Sequence, residues 1–455
     1  IYASLITFLV IILTLFLSLK TNFAKKILPS NTKTTFKKFL FENIFEKEAN
    51  YIKELESKKL RFIKFDKIQD TISEYGLIFL QYFDKDIKID ETFYNLKKFN
   101  TFQLINGVDP TYAYGSSFIE FYNDKLFLAT SDGKITFTKN LNLEKLVFKE
   151  ISSNFKKIVK YDKFYDYNEL TVKDLFIFKN KLYLSYSNIL KKDCYNTSIL
   201  EADLNLNFLT FKKFFEPKDC VKINNPDLEF NAVQSGGRMF QFKENKMLFT
   251  TGDYRYRKLA QDLNSTFGKI LEINLENGDY EVVSYGHRNP QGLYYDQSQN
   301  YIISTEHGPK GGDEVNVNFE PNKSIKNFGW PQASYGEHYS IKEGKDNPIN
   351  IKKYKKYPLY KSHKKYGYEE PKKYFVPSIG ISQLIKVDSN ENVTFFVTSM
   401  KAKTIFKLKL DNQLNILDES KFLIGERIRD IIKVNDNKII MFLENTPALA
   451  ILEKR

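Results

Sequence analysis

A short phrase recurs six times along the 455-residue chain: a turn residue, Asn or Asp, leads into a run of apolar residues. Each run has the length and apolar character of a β-strand. The copies follow one another at irregular intervals of roughly 45 to 95 residues. Strand units that repeat at such intervals indicate a β-propeller, in which each blade packs against its neighbours, with an array of β-sandwiches as the alternative. The copies begin at Asp124, Asn180, Asn245, Asn300, Asn392 and Asn437.

The composition is that of a folding chain with a diffuse positive charge. Hydrophobic residues make up 42% of the chain and aromatic residues 15%, which excludes a disordered protein. The net charge is +13, but the lysines are spread along the whole sequence. No nucleic-acid recognition motif or single basic stripe is present, so we do not expect nucleic-acid binding. The charge favours anionic ligands or surfaces.

Residues 1–19 form an uncharged, apolar run that ends at Lys20. About 20 such residues are needed to cross a bilayer as a helix, whereas the core of a cleaved signal peptide usually runs ~7–15 residues. The run therefore predicts a transmembrane or signal-anchor helix, with a cleaved signal peptide as the alternative. Residues 20–98 are predicted to form a membrane-proximal, partly helical arm. The six-bladed propeller is predicted over residues 99–455.

Cys194 and Cys220 are the two cysteines of the chain. In an exported domain they could form a disulfide across a hairpin, whereas in a cytosolic protein both would stay reduced. The sequence leaves both alternatives open.

Two blocks in the second half of the chain concentrate unusual chemistry. Residues 284–293 bring one guanidinium and two amides together, at Arg288, Asn289 and Gln291. Residues 305–314 form a glycine-rich turn that is closed by two acids. Side-chain donors beside a carbonyl-rich turn suit a flat, polyanionic ligand that is held together with a hard cation.

These blocks, with the motifs that flank them, resemble the glucose/sorbosone dehydrogenase family. The resemblance runs from about residue 234 to residue 430, close to half the chain, and the motifs fall in the family's order. The family's usual first-blade signature is missing near residues 112–121. The resemblance implies an all-β, six-bladed propeller that uses pyrroloquinoline quinone (PQQ) and calcium to oxidise a sugar or another alcohol. The further motifs occupy residues 234–239, 250–253, 260–265, 268–271, 328–331, 334–340, 376–380, 398–401 and 427–430.

If the family's roles carry over, six residues bind the cofactor. PQQ carries three carboxylates and an ortho-quinone, so its pocket needs several fixed cations and amide donors. Two of the arginines are two positions apart, which places both on one face of a strand, and the lysine would offer a point charge to the quinone oxygens. The alternative for each residue alone is an ordinary surface position. The six are Arg288, Asn289, Gln291, Lys401, Arg427 and Arg429.

Calcium would lie beside the cofactor, coordinated mainly by the backbone carbonyls of Gly308 and Pro309. Hard cations prefer oxygen ligands, and a Gly-Pro turn can direct consecutive carbonyls at one point. Asp313 and Glu314 are candidates for a second cation or for bracing the loop. The alternative is a glycine-rich turn with solvated acids.

Catalysis is where the chain departs from the family. The family's histidine takes a proton from the sugar hydroxyl, and a neighbouring aspartate orients it; here Gln234 and Asp253 occupy these two positions. An amide has no useful basicity near pH 7, and the loss of a positioned base costs about 10²–10⁴-fold in rate. His338 is the histidine we consider as a relocated base.

Two functions follow from these observations. The first is a membrane-anchored, periplasmic PQQ-dependent dehydrogenase that acts on a small sugar or alcohol and passes electrons to an unidentified acceptor. The second is a catalytically impaired relative that binds a sugar, a glycan or a protein through the mouth of the propeller. A third reading, an envelope scaffold, has no specific feature in its favour. Fold alone does not decide among them.

Overall fold

The computed structural model of the protein describes residues 72–73, 76–89, 92–101, 116–139, 141, 145–159, 171–339, 348–387 and 393–455. The predicted anchor at residues 1–19 and most of the predicted arm lie outside these ranges. Within them, no helix is both long and apolar enough to cross a membrane.

The described residues are organised almost entirely as β-strands. In chain order the strands are β1 (Ile72–Ser73), β2 (Gly76–Ile89), β3 (Thr92–Asn100), β4 (Ser117–Tyr122), β5 (Lys125–Thr130), β6 (Ile135–Thr138), β7 (Lys145–Ser153), β8 (Val172–Phe178), β9 (Lys181–Lys191), β10 (Cys194–Asp203), β11 (Phe208–Leu209), β12 (Lys212–Phe215), β13 (Val221–Lys222), β14 (Gly236–Phe242), β15 (Lys246–Thr251), β16 (Lys269–Asn274), β17 (Tyr280–Tyr285), β18 (Pro290–Asp296), β19 (Tyr301–Glu306), β20 (Asp313–Phe319), β21 (Lys326–Asn327), β22 (Lys373–Phe375), β23 (Ile381–Lys386), β24 (Val393–Ser399), β25 (Thr404–Leu410), β26 (Ile416–Leu423), β27 (Ile428–Asn435), β28 (Lys438–Leu443) and β29 (Ala448–Lys454). The helices are α1 (Phe155–Ile158), α2 (Pro348–Lys356) and the 3-10 turns Arg257–Gln261 and Lys364–Tyr366.

The strands form six antiparallel groups of four, which we call blades 1 to 6. Their inner strands pack side by side in a closed ring, in which β27 of the last blade returns to β4 of the first. This arrangement confirms the prediction of an all-β propeller. From the inner strand outward, the blades are β4-β5-β6-β7, β8-β9-β10-β12, β14-β15-β16-β17, β18-β19-β20-β22, β23-β24-β25-β26 and β27-β28-β29-β3.

The six copies of the turn-and-strand phrase lead into the second strands of the six blades, β5, β9, β15, β19, β24 and β28. The reason for the Asn or Asp is visible in the first hairpin, where Asn123 and Asp124 have φ of 46° and 57° and connect paired residues Tyr122 and Lys125. Two consecutive left-handed residues make the turn whose twist matches that of the strands, and Asn and Asp tolerate it best.

Both ends of the described chain meet in blade 6. The C-terminal β29 pairs with β3, and β2 pairs with β3 over one half of its length and with β7 of blade 1 over the other. The propeller therefore includes strands that begin at Gly76, and the boundary predicted at residue 99 is too late. The alternating charges between Asp84 and Lys88 lie on exposed positions and hide the strand pattern of this segment.

The disulfide that the sequence left open is present. Cys194 and Cys220 are bonded, with their Cα atoms 5.4 Å apart. The bond fastens the segment that carries β13 to the start of β10, with which β13 also pairs.

A buried charge cluster ties the inner strands together on the propeller axis. The Nη1 atom of Arg238 on β14 lies 2.8 Å from Asp174 Oδ1 on β8 and 3.0 Å from Asp430 Oδ1 on β27. Each carboxylate also accepts a backbone hydrogen bond from a neighbouring blade, Asp174 from Met239 and Asp430 from Ile119. One guanidinium thus joins three blades, and Asp430 adds a fourth through its hydrogen bond from Ile119.

Glu120 on β4 adds a third carboxylate beside this cluster. Burial, and after it the negative charge of Asp174, raises the pKa of Glu120 from 4.5 to about 8. The folded protein therefore holds a proton on Glu120 between pH 4.5 and 8 that the unfolded chain has already lost. Its contribution to stability is complete below pH 4.5 and is lost as the pH rises towards 8.

We expect Glu120→Gln, which mimics the protonated side chain, to raise the thermal unfolding midpoint at pH 8 and to leave it nearly unchanged at pH 5. Unfolding followed at both pH values checks this. Glu244→Gln, at a side chain that is 87% exposed, is the matched control and should shift neither midpoint. An equal shift of the Glu120 variant at both pH values would contradict the proposed protonation.

Candidate functional site

A cavity of about 670 Å³ opens where the inner strands of the six blades begin. Each blade contributes lining residues at or just before the start of its inner strand. Because the strands are fixed by the ring of blades, these side chains are held on a rigid frame. Representatives in blade order are Phe118, Val172, Gly236, Gln291, Gly380 and Arg429.

The cavity wall carries a large excess of positive charge. Seven of its lining residues are cationic and two are acidic. Such a wall attracts anions strongly, because the surrounding protein does not screen the charges as water does. The cations are Lys173, Arg255, Arg288, Lys310, Lys401, Arg427 and Arg429, and the acids are Asp313 and Glu444.

All six residues predicted to bind the cofactor line this one cavity, although they lie as much as 141 positions apart in the chain (288 to 429). Arg427 and Arg429 lie at the start of β27 and share Glu444, which accepts a hydrogen bond from the Nε atom of each. Burial raises the pKa of Glu444, but the two guanidinium groups outweigh burial and hold the pKa below its ordinary range. The sequence analysis missed Glu444, an acid directly after the apolar strand β28.

Arg288 is fixed by the turn that follows β19. Its Nη1 donates to the carbonyl oxygens of His307, at 2.9 Å, and Gly308, at 2.6 Å, and its guanidinium lies 5.4 Å from the centre of the Trp330 ring. Burial lowers the pKa of Arg288, and Asp253 opposes this effect.

Lys401 differs from the arginines. Its ammonium makes no hydrogen bond or ion pair with any other described residue, and the side chain lies at the exposed edge of the cavity. Asn289 and Gln291 are linked to each other by a 3.1 Å hydrogen bond from Gln291 Nε2 to Asn289 Oδ1. Asn289 Oδ1 also accepts from the Gly236 backbone, which joins blade 3 to blade 4.

Gln234, at the position of the family's histidine, lines the cavity and is 7% exposed. Its Oε1 is buried and has no hydrogen-bond partner in the described part of the chain. The segment lies so close to the next strand that a Cβ atom at Gly252 would stand 2.2 Å from the Gln234 carbonyl oxygen. A glycine is therefore required there, which brings the following residue, Asp253, close to Gln234.

Asp253 lies behind the cavity wall and is fully buried. Its Oδ2 accepts from the Trp330 indole at 2.7 Å, and its Oδ1 accepts from the Arg255 backbone at 2.8 Å. Burial raises the pKa of Asp253, although Arg288 opposes this. Both carboxylate oxygens are thus occupied by hydrogen bonds from protein groups, so Asp253 is poorly placed to take a proton from a ligand.

The glycine-rich turn is braced by one of its two acids. Asp313 accepts from the backbone of Gly308 with one oxygen and from Gly380 and Ile381 with the other. Burial raises the pKa of Asp313, but the nearby His307 and the hydrogen bond from the Ile381 backbone outweigh burial and lower the pKa. The geometry fits the predicted bracing role for Asp313.

Glu314 lies on the other side of β20, away from the cavity lining, and is buried beside Asn316 and His363. Burial raises its pKa well above the ordinary value, and the charge of Glu306 raises it further. Across the described ranges, no group of three or more His, Cys, Asp or Glu residues is arranged to hold a metal ion. Of the four predicted metal residues, only Gly308 and Asp313 line the cavity.

His338 does not line the cavity, so the structure disfavours it as a relocated base. One ring nitrogen, Nε2, lies 2.7 Å from the carbonyl oxygen of Tyr357, and burial lowers the pKa of His338 to about 4. His307 is the histidine that does line the cavity among the described residues, with its Nδ1 3.7 Å from Asp313 Oδ1.

Comparison with known proteins agrees with this fold. Residues 119–452 match the family model described as glucose/sorbosone dehydrogenase. The chain therefore belongs to the glucose/sorbosone dehydrogenase family. It is 30% identical to an uncharacterised protein of Synechocystis sp. over 42% of this chain and 46% of that protein. It is 28% identical to the aldose sugar dehydrogenase YliI of Escherichia coli over 43% of this chain and 53% of that protein. The chain thus spans about half the length of these curated relatives.

Solved structures match a larger part of the chain at lower identity. The soluble aldose sugar dehydrogenase of Escherichia coli, in its apo-form, matches with a TM-score of 0.58 and 20% identity over 80% of this chain and all of that one. The PQQ-bound aldose sugar dehydrogenase of Streptomyces coelicolor matches with a TM-score of 0.53 and 16% identity over 82% of this chain and 98% of that one. At these identities the likeness supports the fold.

Proposed function

We propose that this protein is a PQQ-dependent sugar dehydrogenase whose chemistry is slowed by the amide at position 234. The observation that carries the proposal is the cavity wall, on which seven cations face two acids that are already occupied by protein groups. Such an uncompensated wall is costly unless a polyanion fills the cavity. Family membership gives the chemical class of that polyanion.

The residues fit PQQ. Arg288, Arg427 and Arg429 are held by protein hydrogen bonds and Lys401 is unpaired among the described residues. Fixed guanidinium groups suit carboxylates, because the forked N–H donors match the two oxygens, and a free ammonium suits a quinone oxygen. When bound, PQQ would supply the acceptor for the hydride of an alcohol carbon. Gln234 Oε1 would accept a hydrogen bond from a sugar hydroxyl.

Calcium is part of the same proposal, and its proposed ligands are backbone carbonyl oxygens. The Gly308 and Pro309 carbonyls remain the proposed ligands, but Arg288 already donates to the Gly308 oxygen. A cation would have to share that oxygen with the guanidinium. We therefore expect calcium to bind weakly before PQQ, whose own charge would offset the arginine, and more tightly after it.

The second candidate function is a binding protein that has lost turnover. Three observations favour it: Gln234 cannot take a proton, both oxygens of Asp253 are occupied, and His338 lies outside the cavity. For either function we propose an extracytoplasmic location and a membrane anchor at residues 1–19. The Cys194–Cys220 disulfide supports that location, since such bonds persist mainly in oxidising compartments.

One experiment separates these functions. Purified protein is mixed with Ca²⁺ and oxidised PQQ, and the spectrum of the bound quinone is followed as a panel of aldoses is added. Sugar-dependent reduction of bound quinone establishes the dehydrogenase. A bound quinone that no aldose reduces favours the impaired relative, and absence of quinone binding overturns the cofactor proposal.

The same assay tests the role of the cations on the cavity wall. We expect Lys401→Gln to weaken PQQ binding by about tenfold or more, since a hydrogen bond to a charged group is worth about 1.5–3 kcal/mol. Because the Lys401 ammonium makes no hydrogen bond or ion pair with any described residue, the unfolding midpoint of the variant should not change. Lys323→Gln, at a side chain that is 73% exposed, removes the same charge elsewhere and should not affect PQQ affinity. Equal affinities for the two variants would count against Lys401 as a cofactor ligand.

A further inference from the structure

Three cations of the cavity wall, Lys173, Arg255 and Lys310, are not assigned to the cofactor, and Arg255 is the one next to the site of catalysis. Arg255 directly follows Tyr254, whose backbone N–H donates to the Gln234 carbonyl oxygen at 3.0 Å. Arg255 therefore lies beside the position of the missing base. It lines the cavity, its Nε is buried without a hydrogen-bond partner, and it makes no ion pair with any described residue. Its guanidinium carbon lies 5.5 Å from the centre of the Tyr339 ring, at the cavity rim.

The backbone holds Arg255 in an unfavourable conformation. Tyr254 and Arg255 have φ of 48° and 62°, a left-handed region that side chains other than glycine disfavour. The turn is held by Asp253, which accepts from the Arg255 backbone at 2.8 Å, and by a 2.9 Å hydrogen bond between the hydroxyls of Tyr254 and Thr197. Backbone strain that neighbouring contacts maintain in this way is found most often at binding sites.

The charges around Arg255 are unbalanced. Burial lowers the pKa of Arg288, and the positive charge of Arg255 lowers it further, so the two guanidinium groups lie within electrostatic reach of each other. Asp253, two positions before Arg255, already accepts hydrogen bonds with both of its carboxylate oxygens behind the cavity wall. The acids that line the cavity are occupied elsewhere, Glu444 by Arg427 and Arg429 and Asp313 by backbone N–H groups.

PQQ does not account for the Arg255 guanidinium. Its three carboxylates and its quinone oxygens are matched by four other cations, one of which is unpaired among the described residues. Arg255 instead borders Gln234, where the family places the reacting sugar hydroxyl, and Tyr339, which reaches the rim from residues outside the blades. The four cations are Arg288, Lys401, Arg427 and Arg429.

We propose that Arg255, with Tyr339 packed against it, binds the carboxylate of an acidic sugar such as a uronic acid. In the same complex, Gln234 Oε1 accepts a hydrogen bond from one of the hydroxyl groups of that sugar. The substrate class rests on the proposed dehydrogenase function, but the binding subsite does not. An arginine fork with a buried, unpaired Nε suits a carboxylate. An unpartnered acceptor oxygen beside it suits a hydroxyl, and the two groups occur together in an acidic sugar.

The test uses two glycosides that cannot be oxidised at the anomeric carbon, methyl β-D-glucuronide and methyl β-D-glucoside. Their affinities for the full chain are measured by calorimetry, with and without PQQ and Ca²⁺. We expect the glucuronide to bind about tenfold or more tightly, and Arg255→Gln to reduce it to the affinity of the glucoside. Arg255→Lys keeps the charge and should retain part of the preference. Lys258→Gln is the matched control, because it removes an exposed charge three residues away.

Equal affinities of the two glycosides, or a preference that survives Arg255→Gln, would overturn the subsite. So would an Arg255→Gln variant that loses PQQ affinity and keeps the glucuronide preference, since Arg255 would then serve the cofactor. If PQQ does not bind but the glucuronide preference disappears with Arg255, the subsite is supported and the dehydrogenase proposal fails. Thermal unfolding of each variant shows that the fold is intact.

Discussion

Replacing Gln234 with histidine is expected to raise the rate of sugar oxidation by about 10²-fold or more. The amide cannot accept a proton near neutral pH, whereas an imidazole has an ordinary pKa of about 6.5, and a positioned base is worth about 10²–10⁴-fold in rate. The gain should appear in kcat as well as in kcat/KM, because the proton leaves the sugar hydroxyl in the chemical step.

The local structure can accept this change. Gln234 Oε1 has no partner to lose among the described residues, so its removal leaves no protein donor unsatisfied. Gly252 allows the backbone around Gln234 to lie in contact with the end of β15, and Asp253 is the residue after Gly252. Asp253 already accepts hydrogen bonds from the Trp330 indole and from the Arg255 backbone. It could accept a hydrogen bond from the new imidazole only through an oxygen that already has one of these donors. The gain is therefore expected to fall short of the full value of an oriented base.

The measurement is the rate at which an aldose reduces the bound quinone, in the wild-type protein and in Gln234→His. The rate of the variant should rise with pH through the pKa of the new imidazole, because only the neutral ring accepts a proton. Thr171→His adds a histidine elsewhere on the cavity wall and should leave the rate unchanged. An unchanged rate in Gln234→His, with PQQ bound, would mean that the missing base is not what limits this protein.

Local patterns in the sequence indicated the propeller, and the family resemblance favoured it over an array of β-sandwiches. A turn residue followed by an apolar run marks the second strand of every blade, because that strand is buried, and in the first four blades the Asn or Asp before it has a positive φ. The outer strand β2 escaped prediction, since its exposed positions carry charges where a buried strand has apolar residues.

The site was predictable only where its residues belong to motifs. The six predicted cofactor residues line one cavity, but Glu444 and Arg255, which set its electrostatics, were missed. Their roles depend on contacts between distant blades, and no local pattern records those contacts. The hydrogen bond that Trp330 donates to Asp253 could not be predicted for the same reason, because Trp330 lies 77 positions further along the chain.

Replacing Arg238 with methionine is expected to lower the free energy of unfolding by about 3–5 kcal/mol near pH 8, which is the usual cost of removing one partner from a buried ion pair. Arg238 forms an ion pair with both Asp174 and Asp430, and both carboxylates are almost completely buried. Without the guanidinium, each carboxylate must either stay charged in the interior or take up a proton. Arg238 Nε also donates to the carbonyl oxygen of Gln291, which lines the cavity, at 3.0 Å. The variant should therefore bind PQQ more weakly as well.

The pH dependence gives this prediction its sharpest test. Burial raises the pKa of Asp174 to about 7 even with Arg238 present, although the arginine opposes that shift. Burial also raises the pKa of Asp430. Removing Arg238 raises both values further, so at pH 5 the two acids are protonated in the folded variant and the unpaired charge disappears. The loss of stability in Arg238→Met should therefore be clearly smaller at pH 5 than at pH 8, as measured by urea unfolding.

Lys212→Met, which removes a surface ion pair at a side chain that is 71% exposed, should change stability by less than about 1 kcal/mol at either pH. A loss in Arg238→Met that is the same at both pH values would show that the guanidinium stabilises the axis by packing rather than by charge.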